Sequence, residues 1–293
     1  MISKKLRFKA VDGLLLVLVF ALVAYVIHRI QDGLVYKSDW SVIPQFLFHQ
    51  DPQTGWWVPN YLLQGFLATI KLSFWALIPA FALGLLVALW RTSRHLLPRM
   101  LGRTYVELIR NLPPLVLIFI FYFFIVDQIM PHLGLDSFLR SAPGWVNALV
   151  AFFFSEPSLF VQFLSGIATL SFFEGAYIAE IIRAGIVSVE RGQMEASYSL
   201  GLSWVDEMRF VVLPQALKRQ LPALCNEFVN TIKYSSIASV ISIQETTFMG
   251  REVVATTGRI FEVWISVALL YLILTLSLSA AVGRLERRLR AGD

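Results

Sequence analysis

The chain has 293 residues, of which 57% are hydrophobic and only 15% charged, and its mean hydropathy is +0.66. Soluble domains carry roughly a quarter charged residues, so this composition excludes a soluble globular protein. The net charge of +5 does not point to nucleic acid either, because the basic residues gather in stretches that alternate with long apolar runs.

Lys4, Lys5, Arg7 and Lys9 precede the first apolar run, about Val11–Ile30. That run is long and shows no A-x-A cleavage site before Arg29, so it reads as a retained signal-anchor helix rather than a cleaved signal. The polar stretch Gln31–Asn60, with Trp40, Trp56 and Trp57, reads as an external loop whose tryptophans lie at the membrane interface. Five further spans are predicted at about Leu62–Trp90, Tyr105–Met130, Leu159–Ala184, Ala223–Ile243 and Phe261–Val282, each long enough for the ~20 residues a helix needs to cross a bilayer. Continuous apolar runs of this length disfavour a β-barrel, whose strands alternate over about ten residues. The fold class is therefore an all-α integral membrane protein with six spans.

Most of the 25 lysines and arginines fall in four places: the N-terminus, the stretch Arg91–Arg110, the loop that holds Arg191 and Arg209, and the tail Arg284–Arg290. The positive-inside rule then puts both termini and the loop Gly192–Ala216 on the cytoplasmic side. Trp145–Phe154 is strongly apolar but too short to span, and prolines flank it at Pro143 and Pro157. It reads as a re-entrant or interfacial segment. Were it a span, the basic loop would face outward.

Bond-making chemistry finds little support. Cys225 is the single cysteine, and His28, His49, His95 and His132 show no ligand spacing. No GxxxxGK[ST] loop is present, so ATP hydrolysis is not expected in this chain. Nor do the spans offer a Ser/His pair or an aspartate pair for intramembrane catalysis.

The polar loop GQMEASYSLGLSWVDEMRFVVLPQA, Gly192 to Ala216, reads as two short helices and a hinge. Ala196 and Ser197 are small enough for a close-packed contact, and Glu195 is placed to accept hydrogen bonds from the neighbouring turn and brace the hinge. Gly201 suits the left-handed position after a helix end. Ser203 with Asp206 forms a capping pattern that restarts the helix, and Leu213-Pro214 is expected to end or kink it.

This loop resembles the EAA loop of bacterial ABC importer permeases, with Gly192, Glu195, Ala196, Ser197, Gly201, Leu213 and Pro214 at the pattern positions. YVELIRNLPP (Tyr105–Pro114), FFEGAYIAEIIRAGI (Phe172–Ile186), Leu213–Pro222 and Lys233–Ile241 resemble segments of the polar amino acid uptake subfamily. Two departures stand: Ser197 replaces the second Ala of EAA, and Ser235-Ser236-Ile237 replaces Thr-Ser-Leu. The resemblance implies a type I importer-like permease core over 61–293 with a coupling loop at about 188–220, preceded by an extra helix and external loop at 1–60. It implies as partners ABC ATPase subunits, a second permease copy or paralogue, an external solute-binding protein and a polar amino acid substrate, in the bacterial inner membrane. It also implies no cofactor in this chain, ATP and Mg being held by the ATPase.

Charged residues inside predicted spans should face protein, a partner or water. Asn226, Asn230 and Lys233 follow at i, i+4, i+7 and share a helical face. With Glu174 and Tyr177 they form a candidate translocation path, offering a donor for a carboxylate and an acceptor for an ammonium. A structural alternative has Lys233 paired with a glutamate of the fourth span. Glu180 and Arg183, three apart, are placed to pair locally. Arg110 is either an inner-mouth residue or an interface anchor, Lys71 is expected to reach toward the outer face, and Asp127 lies at the outer end of its span. The competing function is an ion-gradient-driven secondary transporter or channel that uses the intramembrane carboxylates.

Overall fold

A computed structural model describes residues 10–33, 36 and 38–290. The N-terminal Lys4, Lys5, Arg7 and Lys9, and Lys37, lie outside the described residues. By internal contacts the chain divides at Trp40/Ser41 into two units. The first is built on helix α1 (Ala10–Gly33), whose Leu14–Phe20 stretch exposes every large apolar side chain. A helix apolar all round fits a lipid environment.

The second unit starts with a helical turn, Ile43–Leu47, and a hairpin of β1 (Phe48–Gln50) and β2 (Trp57–Pro59) in antiparallel register, Phe48 opposite Pro59. The hairpin turn is held by Asp51, whose carboxylate accepts from the Gln53 N–H and the Thr54 hydroxyl. Those bonds hold the Asp51 carboxyl below its ordinary range. Asn60 then caps the next helix by accepting from the Tyr61 N–H.

Helix α2 (Tyr61–Thr92) is the longest among the described residues and packs along α6 (Phe160–Val187) as the central pair. The two run parallel, since Gly166 sits against Leu72 and Gly84 against Ile178. A Cβ on Gly84 would lie 2.6 Å from the Ile178 side chain. Small residues permit such close backbone approach where lipid supplies no hydrophobic drive between helices. Around this pair lie α3 (Leu96–Asn111), α4 (Pro114–Phe121, its run continuing to Ser141), α5 (Gly144–Phe153), α7 (Arg191–Ser199), α8 (Leu213–Tyr234), α9 (Thr246–Thr257) and α10 (Ile260–Arg290).

Among the described residues four helical runs are long and apolar enough to cross a membrane: Tyr61–Thr92, Pro114–Ser141, Pro157–Val187 and Ile260–Arg284. Three match expected spans within a few residues. The third does not begin at Tyr105. Leu112 and Pro113 are extended, with ψ of 150 and 131 degrees, and divide the amphipathic α3 from α4. The cause is Pro113-Pro114: each proline pushes its predecessor out of helical ψ and removes a donor. The predicted fifth span corresponds to α8, which starts ten residues earlier and passes into a 3-10 stretch, Ser235–Ile241. It carries Lys218, Arg219, Glu227 and Lys233, so composition alone does not mark it as a span. Trp145–Phe154 is helical as α5, too short to cross. Its C-terminal carbonyls are taken by side chains of α2: Lys71 Nζ donates to Ala151 O (3.0 Å) and Trp75 Nε1 to Phe153 O (2.8 Å). Lys71 thus reaches into a helix end, where a cation is favoured.

Helix α9 has no counterpart among the expected spans. Its start is capped by the buried Glu245, which accepts from the Phe248 N–H and from Tyr271 of α10, beside Thr69 of α2.

Candidate functional site

Two regions carry the residues singled out from sequence. The first is the loop after α6. Helix α7 runs Arg191–Ser199, and Gly201 has φ of +77 degrees, the left-handed value expected after a helix end. Ser203 accepts from the Asp206 N–H (3.3 Å) and donates to the Asp206 carboxylate (2.6 Å), so the cap restarts the helix as read. The expectation for Pro214 is corrected. A π-helical stretch, Glu207–Val212, leads straight into α8, and Pro214 occupies the first turn of α8 rather than ending a helix. A proline is tolerated there because it follows the π-helical stretch, whose wider turn accommodates the missing N–H and the ring.

The hinge brace by Glu195 is also corrected. Among the described residues its carboxylate makes no hydrogen bond or ion pair, and the side chain is exposed. The small pair splits: Ser197 is buried and donates to Met194 O, whereas Ala196 faces outward. Gly192 is exposed, and Leu213 packs with Met208, Val212 and Ala216 against α6. The outward surface carries Tyr198, Leu200, Val205 and Phe210, from 62% to 80% exposed. So much apolar surface beside a polar helix marks an interaction face.

This loop is tied to the helix pair. Glu180 of α6 is shared between Arg183, one turn on, and Arg91 at the C-terminal end of α2. The local pair read from sequence is present, and Arg91 extends it across two helices. Arg219 of α8 donates to Ser188 O at the start of the loop.

The second region lies midway along α6 and α8. The carboxyl of Glu174, fully buried, sits beside that of Glu227 and the Thr231 hydroxyl, yet neither Glu174 oxygen has a hydrogen-bond partner. Glu227 is also buried; one of its oxygens accepts from Asn230 Nδ2 at 3.3 Å and the other has no partner. Burying two carboxyls together is costly unless a proton or a cation accompanies them. Tyr177 packs on Phe173 and Tyr234, and the Arg110 guanidinium lies 5.7 Å from its ring centroid. Arg110, in the last turn of α3, is thereby brought to the path residues.

The structure does not bring Lys233 to a glutamate. Lys233 is exposed and forms no ion pair among the described residues, and Asn226 is exposed on the same face. The stripe of α8 that turns inward is the neighbouring one, Glu227, Thr231 and Tyr234, also at i, i+4, i+7. Glu227 and Tyr234 are the site residues that the sequence reading left out of the path, and that shifted spacing is the signal for them.

Residues 80–291 match the family described as binding-protein-dependent transport system inner membrane component. The chain belongs to that family. Its relatives include the probable glutamine ABC transporter permease protein GlnM of Bacillus subtilis (strain 168), 37% identical over 78% of this chain and 92% of the relative. The glutamine transport system permease protein GlnP of Escherichia coli (strain K12) is 32% identical over 87% of this chain and 99% of the relative. The fold matches a chain of the crystal structure of an amino acid ABC transporter with histidines, with a TM-score of 0.64 and 32% identity, covering 86% of this chain and all of that one. The permease is thus an inner-membrane transport component of the all-α ABC importer type.

Proposed function

We propose that this permease forms, with a second copy or a paralogue, the transmembrane path of an ATP-driven importer of polar amino acids. Two ATPase subunits, which hold ATP and Mg, dock on α7 and the Gly201 hinge. An external solute-binding protein delivers the amino acid at the opposite face. Both termini and the α7 loop are cytoplasmic, in keeping with the basic residues around them. Residues 1–60 are an addition to the permease core at 61–293.

The observation that carries this reading is the ordered α7–Gly201–Ser203 element, with an apolar outer face and a rigid link to α6 and α8. Motor closure pushes on α7. The push passes through Val212 and Ala216 to Ile182 and Ile186 of α6, which share one packed cluster, and through the Arg91–Glu180–Arg183 tie to α2. No bond is made or broken in this chain; its work is to turn docking motion into helix rocking. Asn226, Lys233 and the Tyr177–Tyr234 pair line the path, and the buried Glu174 and Glu227 stand behind that lining. The amino acid substrate is supported by the relatives' names, and by Lys233 and Arg110 as cations for its carboxylate.

The test is co-purification from native membranes in gentle detergent, wild type beside Gly201→Trp. A Cβ at Gly201 meets open space, so the indole projects outward into the docking face, while the positive φ adds local strain. An ATPase recovered with the wild type and lost from the membrane-inserted variant is expected. Equal recovery from both, or none from a folded wild type, would count against the reading.

A further inference from the structure

At the end of the α2–α6 pair opposite α7 lies a cavity of about 300 Å³ between the first turns of α2, the C-terminal end of α5, the start of α6 and the segment before α9. Its polar lining has a specific balance. Lys71 supplies one cation, already steadied by Ala151 O (3.0 Å) and left with two N–H donors. Glu156 supplies a carboxylate. Gln64 and Gln162 each have one amide N–H engaged, by Pro59 O (2.9 Å) and Ser242 O (2.8 Å), which fixes the amide and leaves its carbonyl oxygen as an acceptor beside one further N–H. Gln244 completes the polar wall, and Phe163 stands among the apolar residues of the rest.

We propose that this cavity is an entry site for a zwitterionic α-amino acid, separate from the path at Glu174 and Tyr177. An α-ammonium has three N–H donors, and the cavity offers three acceptors for it: Glu156, Gln64 and Gln162. An α-carboxylate needs donors, and Lys71 with the Gln244 amide supplies them. The apolar wall leaves room for a side chain, and the volume lies at the lower end of small-molecule sites. Glu174 is twelve residues further along α6, about 18 Å at 1.5 Å per residue. The amino acid released by the binding protein is therefore held at the mouth before it reaches the deeper path. The proposal rests on the amino acid importer reading.

The test uses the assembled transporter with its ATPase in nanodiscs, without binding protein, and the probes radiolabelled L-glutamine, L-glutamate and L-arginine. The measurement is made in Lys233→Ala, which takes one cation from the deeper path. In that background at least one probe is expected to bind, and Glu156→Gln should weaken it roughly ten-fold or more, as loss of a charged hydrogen bond does. Lys71→Met should act in the same direction and Lys71→Arg should restore binding. Acetylating the α-amine or amidating the α-carboxylate of the probe should each abolish binding. Binding indifferent to Glu156→Gln, or no binding of any probe to an assembled complex, overturns the proposal. So does retention of phosphatidylethanolamine by the wild type, lost in Glu156→Gln and not displaced by the probes, because the occupant is then a lipid headgroup. ATP-driven uptake by the wild type in proteoliposomes is read in parallel. Its absence counts against the importer reading, whereas uptake with Glu156→Gln unchanged in binding sinks the entry site alone.

Discussion

Glu174 and Glu227 are the residues whose placement departs furthest from what spacing alone offers. From sequence, Lys233 is the natural partner for a glutamate of the fourth span. Yet Glu227 and Lys233 are six positions apart on α8, so they point about 120° apart, and Glu227 is the one that turns toward α6. A buried carboxyl with neither oxygen bonded is a local cost that an uncharged isostere avoids. Glu174→Gln is therefore expected to insert normally and to melt in detergent at the wild-type temperature or a few degrees above it, while ATP-driven uptake falls. A melting point lowered as far as that of Glu174→Leu would show that the carboxyl is needed for folding instead. The Arg91–Glu180–Arg183 cluster is the opposite case, with its carboxylate doubly paired. Arg91→Met should cost about 1 kcal/mol or less, because the group is partly solvated and Arg183 stays in place. Glu180→Leu should cost more, since it strands two guanidinium groups. Thermal melts of the two variants check that order.

Among the elements, those set by chain-local physics were legible in the sequence. The spans at α2, α6 and α10 are long apolar runs, and Gly201 with Ser203 punctuates the α7 loop through backbone φ and a side-chain cap. What depends on partners elsewhere in the chain was not legible. Helix α9 is short and mixed in composition, and its N-cap Glu245 is buried only because Thr69 and Tyr271 come to it. The amphipathic α3 was merged with the span after it, although Pro113-Pro114 carried the break. Residue types alone leave Pro214 to end or kink its helix, because a π-helical lead-in cannot be seen from them. Packing between elements gives its own test. Gly84→Val places a branched side chain where Ile178 leaves no space, and overpacking of this kind costs about 1–3 kcal/mol. The variant should melt several degrees below wild type, and Ile178→Ala in the same chain should restore part of the loss. On the proposed docking face of the α7 loop, Leu200→Asp with Phe210→Asp puts charges on exposed apolar surface and disturbs no buried contact. Insertion and melting should be unchanged, and ATPase recovery on purification should fall at least ten-fold.

Across the whole molecule, one face of α8 decides whether the chain is complete by itself. Asn226 and Lys233 are polar and exposed on a helix packed into a membrane protein, and lipid is a poor solvent for both. In a single chain that face is unsatisfied; in the assembly of two permeases proposed above it would border a central, water-filled path. The single cysteine makes the distinction measurable. With Cys225→Ser as background, Asn226→Cys should react with a charged, membrane-impermeant thiol reagent when the transporter is open to one side. Its rate should change several-fold on trapping the ATPase with nucleotide, as a gated path requires. Val229→Cys, buried against its own chain, should stay inert in both states. Labelling of Asn226→Cys that is absent throughout would place this face in lipid or in a dry contact, and the path would then have to run elsewhere. Labelling at one constant rate would mean that the face is wet but ungated, which fits a static water-filled crevice and not alternating access.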